Sequence, residues 1–137
     1  MQHPHAVRTV ALCGVTAAGE LALLAGVTPD INLASPGGAI LLGFVLGPPL
    51  FLALLAWRRR AHAPRARVLF AVAAVVAAMG LGLLGYDYYR YRTDAVFRVT
   101  PGRNPMLLPM AQWVIVFAAW GPIVAAERRE KKAANTS

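Results

Sequence analysis

The chain has 137 residues, is 58% hydrophobic with a mean hydropathy of +0.52, and carries a formal net charge of +8. So apolar a composition excludes an ordinary soluble domain. Clustering of the basic residues at the ends of apolar runs excludes a nucleic-acid face and makes anionic lipid headgroups the expected partner. The lone cysteine, Cys13, leaves neither an internal disulfide nor a thiolate metal site.

A polar lead containing His3, Pro4 and His5 precedes the first apolar run, and this His pair lacks the further ligands a closed metal site needs. The first transmembrane helix is predicted over residues 9–27, close to the length of about 20 residues that crosses hydrocarbon. Glu20 in mid-run argues against a secretory signal and for a mature helix. Gly14, Ala18, Ala22 and Gly26 recur every fourth residue, the spacing that lets a second helix backbone approach. Thr9, Cys13, Thr16 and Glu20 form a polar stripe roughly opposite.

Residues 28–38, bounded by Thr28-Pro29-Asp30 and Ser35-Pro36-Gly37-Gly38, read as an irregular outer loop. The second helix, 39–57, contains Gly43 and Gly47 and is predicted to kink or unwind at Pro48 and Pro49, whose missing donors free the carbonyls of Phe44 and Val45. Trp57 closes it at headgroup depth, and a basic turn over 58–67 follows with Arg58, Arg59, Arg60, Arg65 and Arg67.

In the third helix, 68–86, Ala71, Ala74, Ala78, Gly82 and Gly85 are expected to pack on protein, with Val72, Val76, Met79 and Leu83 toward lipid or a partner. The tyrosine-rich segment from Tyr86 suits the interface, and residues 87–105 form the second outer loop, an irregular cap. The fourth helix, 106–126, bends at Gly121-Pro122 and ends at the charged stop 127–132. No long internal repeat is evident.

Arg8, the five arginines of the turn, and Arg128, Arg129, Lys131 and Lys132 place ten basic residues on one side, against Arg90, Arg92, Arg98 and Arg103 on the other. This bias predicts an all-α integral membrane protein, a single domain of four transmembrane helices in a small bundle, with both termini cytoplasmic. A multi-pass protein of the cell membrane, in a bacterial inner membrane, is the expected setting.

Glu20 is the leading candidate for a functional residue, because a carboxylate near mid-membrane faces a bundle interior, a cavity or a partner. At 1.5 Å per residue it lies about 3 Å outward of its helix midpoint, and Phe44 and Val45 lie about 5 to 6 Å outward of theirs. A protonated Glu20 donating to a freed carbonyl, or a cation held between them, is therefore expected, with Thr16, Pro48 and Pro49 completing the intramembrane polar site. Arg90, Arg92, Arg98 and Arg103, with Tyr88 and Tyr89, are candidate contacts to lipid phosphate or an acidic partner on the outer side. The five arginines of the turn are candidate contacts to inner lipid.

All three histidines lie outside the predicted spans, so haem or metal ligated by the protein is not expected, and any bound lipid or pigment would be held with partners. Nucleotide-binding fingerprints, paired carboxylates and a nucleophile beside a base are missing, so no enzyme is expected.

Glu20 in the first helix of a four-helix protein is similar to the small multidrug resistance transporters. Pro36-Gly37-Gly38, the mid-helix prolines, and Ala56-Trp57-Arg58 leading to Ala61-His62-Ala63-Pro64 resemble the small four-helix accessory protein of bacterial ATP synthase that assists rotor-ring assembly. The third helix lacks that protein's Gly-Glu and Lys signature, and no functional residue transfers from either likeness.

The leading expectation is an accessory or structural subunit of a larger membrane complex, such as a respiratory or photosynthetic assembly, with other membrane subunits as partners and no nucleic acid. A small oligomeric transporter or channel built on Glu20 and the second helix is the alternative, and a membrane complex assembly factor a further one.

Overall fold

A computed structural model describes residues 4–27, 32, 34–59, 61–99 and 107–135. They form α1 (Pro4–Val27), α2 (Pro36–Arg58), α3 (Ala63–Thr93), α4 (Ala95–Val99) and α5 (Leu107–Ala134), without a strand among the described residues. All but α4 are long and apolar enough to cross a membrane. The fold is thus that of an all-helical protein with four candidate spans.

The helices outrun their apolar stretches. Ser35 caps α2, its hydroxyl oxygen accepting from the Gly38 amide at 3.1 Å with Pro36 in the first turn, so the expected Ser-Pro-Gly-Gly loop is a helix start. Pro64 likewise sits in the first turn of α3, shrinking the predicted basic turn to the few residues after Arg58. The α3 helix carries seven residues past Tyr86, and α4 occupies more of the expected outer loop. Good helix formers in the charged stop, tied by ion pairs to Arg59 and Arg65, carry α5 to Ala134. Arg60 and Arg103, both expected lipid contacts, lie outside the described residues.

Helix α1 packs against α2 and α3, and α5 against α3 and α2. The main core joins Cys13, Leu52, Leu69, Val76 and Val116 from these four helices. The polar stripe of α1 is its buried face, with Thr9, Cys13, Thr16 and Glu20 all inside, whereas the small-residue face read as admitting a second helix is exposed at Gly14, Ala18 and Ala22, which no helix among the described residues covers. The expected faces of α3 do not hold. Ala71, Ala74, Ala78 and Gly82 are exposed, and Val76 is buried. The physical reason is a second small-residue ridge, Ala66, Ala73, Ala77 and Gly80, which takes the close contact with α1. The fit is reciprocal: a Cβ on Gly19 would collide with Leu81, and one on Gly26 with Tyr88.

The burial pattern also reveals a repeat that the sequence conceals. α1 buries Ala6, Thr9, Cys13, Thr16, Ala17, Glu20 and Leu24, and α3 buries the seven residues 60 positions later, Ala66, Leu69, Ala73, Val76, Ala77, Gly80 and Leu84. All four buried residues of α5, Pro109, Gln112, Val116 and Ile123, stand 71 positions after Gly38, Leu41, Val45 and Leu52 of α2. The chain is two helical hairpins of one burial register running in the same direction, with α4 inserted in the second. This is a repeat of buried positions, distinct from a sequence repeat, of which no long one is evident.

Candidate functional site

The site forms where α1, α3 and α5 meet. Glu20 is 0% exposed, and its Oε1 accepts from Nε2 of Gln112 at 2.7 Å. The same amide donates to the Val76 carbonyl at 3.2 Å, so two acceptors on different helices fix its orientation. Gln112 is itself fully buried. Backbones of α1 and α5 do not pack together among the described residues, so the Gln112 side chain bridges the gap. Space for the carboxylate comes from Gly80, where a Cβ would collide with Oε1 of Glu20 and crowd Nε2 of Gln112. Gly80 is the repeat counterpart of Glu20: one hairpin supplies the carboxyl and the other the room for it.

This geometry corrects the expected pairing of Glu20 with the proline-freed carbonyls. The indole Nε1–H of Trp113 donates to the Phe44 carbonyl at 3.2 Å, and the ring lies against Gly47, where a Cβ would strike it. Gly47 admits the indole, Pro48 leaves the Phe44 carbonyl without its usual donor, and Trp113 replaces that donor. Helix α2 accordingly runs without interruption through the buried Pro48 and Pro49 instead of unwinding. Trp113 stacks on Phe117, with centroids 5.2 Å apart, and packs beside Phe51. The Thr16 hydroxyl donates back to the Leu12 carbonyl at 2.8 Å, a local bond that leaves Glu20 to Gln112.

Gln112 and Gly80 escape a sequence reading that ranks charged residues first. The available signal for Gln112 was depth: a lone amide in an apolar run, about 6 Å outward of the fourth helix's midpoint and so near the level of Glu20. Glu20 Oε2 and Gln112 Oε1 are buried acceptors without a hydrogen-bond partner among the described residues. Chemically, then, the cluster is a carboxyl closed off from solvent, paired with an amide and set beside two open acceptor positions. The described residues contain no group of three or more His, Cys, Asp or Glu able to hold a metal ion.

At the end opposite the basic turn, Arg90 donates to Tyr86 Oη at 3.1 Å and to Asp94 Oδ2 at 2.7 Å, and its guanidinium lies over Phe97. Arg92 lies over Tyr88, and Arg98 reaches the Arg92 carbonyl. Arg90, Arg92 and Arg98 therefore brace the α3–α4 corner, whereas Tyr89 stays 63% exposed. Asp94 also accepts from the amides of Phe97 and Val96, and the Phe97 amide is the leading cause of a carboxyl pKa below the ordinary value. At the basic end, Arg59 holds Glu127 through two bonds of 2.6 and 3.1 Å, and Arg65 holds Glu130 at 2.5 Å. Arg58 and Arg67 are exposed.

No family model, curated protein or solved structure matches this chain. What stands is a class: a helical protein whose four long apolar helices suit a multi-pass membrane protein.

Proposed function

We propose that this protein is an accessory, non-catalytic subunit of a larger membrane complex, lying with both termini on the cytoplasmic side. The observation that carries this reading is the outward placement of small residues at equivalent positions of the two hairpins, Gly14, Ala18 and Ala22 on α1 and Ala74, Ala78 and Gly82 on α3. A Cβ on Gly14 or Gly82 would meet nothing. Lipid chains gain little from such a surface, whereas a partner helix gains close backbone approach. The Glu20–Gln112 pair, sealed inside the bundle, acts in this reading as an internal pin.

Extraction in mild detergent followed by mass measurement tests the proposal, with Ala18→Leu and Ala78→Leu as the informative variants. The protein is expected to run as a stable heteromer that both variants dissolve without unfolding the bundle. A free monomer of the unaltered chain favours a transient assembly factor and overturns the subunit reading.

The two unpartnered acceptors at Glu20 and Gln112 favour a second reading, a proton- or cation-coupled transporter. It requires a homo-oligomer in the same measurement, and an ion-dependent flux that Glu20→Gln abolishes while leaving assembly intact.

A further inference from the structure

Between α2 and α5, at the basic end of the bundle, lies an open groove of about 690 Å³. Its deeper part is apolar, lined by Phe51, Leu54, Leu55, Trp120 and Val124, and its mouth carries Arg58, Arg59, Arg65 and Lys131. From Phe51 to Arg58 the wall descends about 10 Å at 1.5 Å per residue. Half-exposed Trp57 marks headgroup level immediately before the arginines. The groove thus passes from hydrocarbon depth into the headgroup layer.

Its charge is organised. Arg59 and Arg65, with side chains only 14% and 13% exposed, are fixed by Glu127 and Glu130. Arg58 and Lys131 line the same mouth without a salt bridge among the described residues. Four cations against two carboxylates leave an excess of two positive charges facing an apolar trough.

We propose that this groove binds an anionic phospholipid, one acyl chain lying along Phe51, Leu54 and Trp120 and the phosphate held by Arg58 and Lys131 at the mouth. Charge complementarity selects the occupant. A phosphodiester supplies the negative charge the mouth lacks, and only a lipid brings an apolar chain joined to it at this depth. Arg59 and Arg65, immobilised by their carboxylates, form the rigid rim that positions the headgroup. This inference is independent of the proposed subunit role.

Quenching of tryptophan fluorescence by brominated-chain phosphatidylglycerol or phosphatidylcholine, titrated into the protein in mild detergent, tests it. With each basic residue contributing roughly fivefold, half-quenching is expected at an about 25-fold lower concentration of phosphatidylglycerol. Trp120→Phe should diminish the phosphatidylglycerol-specific signal, leaving the share of Trp57 and of Trp113, which also packs on Phe51. Arg58→Gln with Lys131→Gln should bring the ratio toward one, whereas Arg128→Gln with Arg129→Gln, equal in charge and exposed elsewhere on α5, should preserve it. Equal quenching by both lipids, a specific signal that Trp120→Phe leaves undiminished, or equal loss in both double variants would overturn the proposal.

Discussion

Helices α1 and α3 bury the same seven positions, yet at three of them they place opposite chemistry. α1 places Thr9, Thr16 and Glu20 where α3 places Leu69, Val76 and Gly80. The return helices reverse the assignment, with Leu41 in α2 standing where α5 carries Gln112. A strictly symmetric bundle would oppose two carboxyls across the α1–α3 seam, and like charges in an apolar setting repel at high cost. The difference teaches that one shared backbone register can carry a single polar pair, provided one repeat gives up side-chain volume where the other adds it.

The sharpest way to break that comparison is to give α3 the volume it gave up. Gly80→Ala inserts a methyl group where the Glu20 carboxyl and the Gln112 amide already sit. We expect a loss of about 3 kcal/mol in equilibrium unfolding from mixed micelles, the upper end for overpacking a filled site. In a Glu20→Ala background the same change should cost little, since the vacated space accepts the methyl. Independent, additive costs would show that the two positions are not coupled.

A smaller effect separates the return helices. Trp113→Phe keeps most of the ring but removes the donor to the Phe44 carbonyl, at an expected cost of about 0.6 to 1.7 kcal/mol for an interhelical hydrogen bond within a membrane. Pro48→Ala restores a backbone N–H that can satisfy that carbonyl within α2. Trp113→Phe should therefore cost less in the Pro48→Ala background, measured by the same unfolding assay. An unchanged cost would mean that the indole acts through packing alone.

These positions mark what the sequence discloses. The four spans are legible because lipid demands long apolar runs, and the polar stripe of α1 because Thr9, Thr16 and Glu20 stand out at helical spacing against alanine and leucine. The inward face of α3 is not legible, since that helix carries small residues on two sides and only the fit with Leu81 and Tyr88 selects between them. Nor is the repeat. Residues 6–27 and 66–87 agree at eight of 22 positions, all Ala, Val or Leu, which any two apolar helices share. The equivalence resides in which positions are buried, a property of packing. Glu20 stands out in the sequence from its cost in lipid, but its hydrogen-bond partner does not: depth pointed to the carbonyls of Phe44 and Val45, and only the packed helices bring Gln112 to it.

The least costly distinction between the hairpins is the insert that only the second one has. Asp94 ends α3 and accepts from the amides of Val96 and Phe97, which starts α4, and it also holds Arg90. Its carboxyl titrates below the ordinary 3.8, with the Phe97 amide as first cause, so the charged form favours the folded corner. Its contribution is therefore complete above about pH 4 and fades as pH falls through the lowered value. Hydrogen exchange at Val96 and Phe97 should accelerate in Asp94→Ala at neutral pH, while Asp94→Asn, which keeps an acceptor oxygen, should remain close to the unaltered chain. Because the corner is solvated and outside the apolar spans, neither change should move global unfolding measurably. If Asp94→Ala lowered global stability as Gly80→Ala does, α4 would belong to the cooperative core of the second hairpin, and the near-equivalence of the two hairpins would fail at that corner.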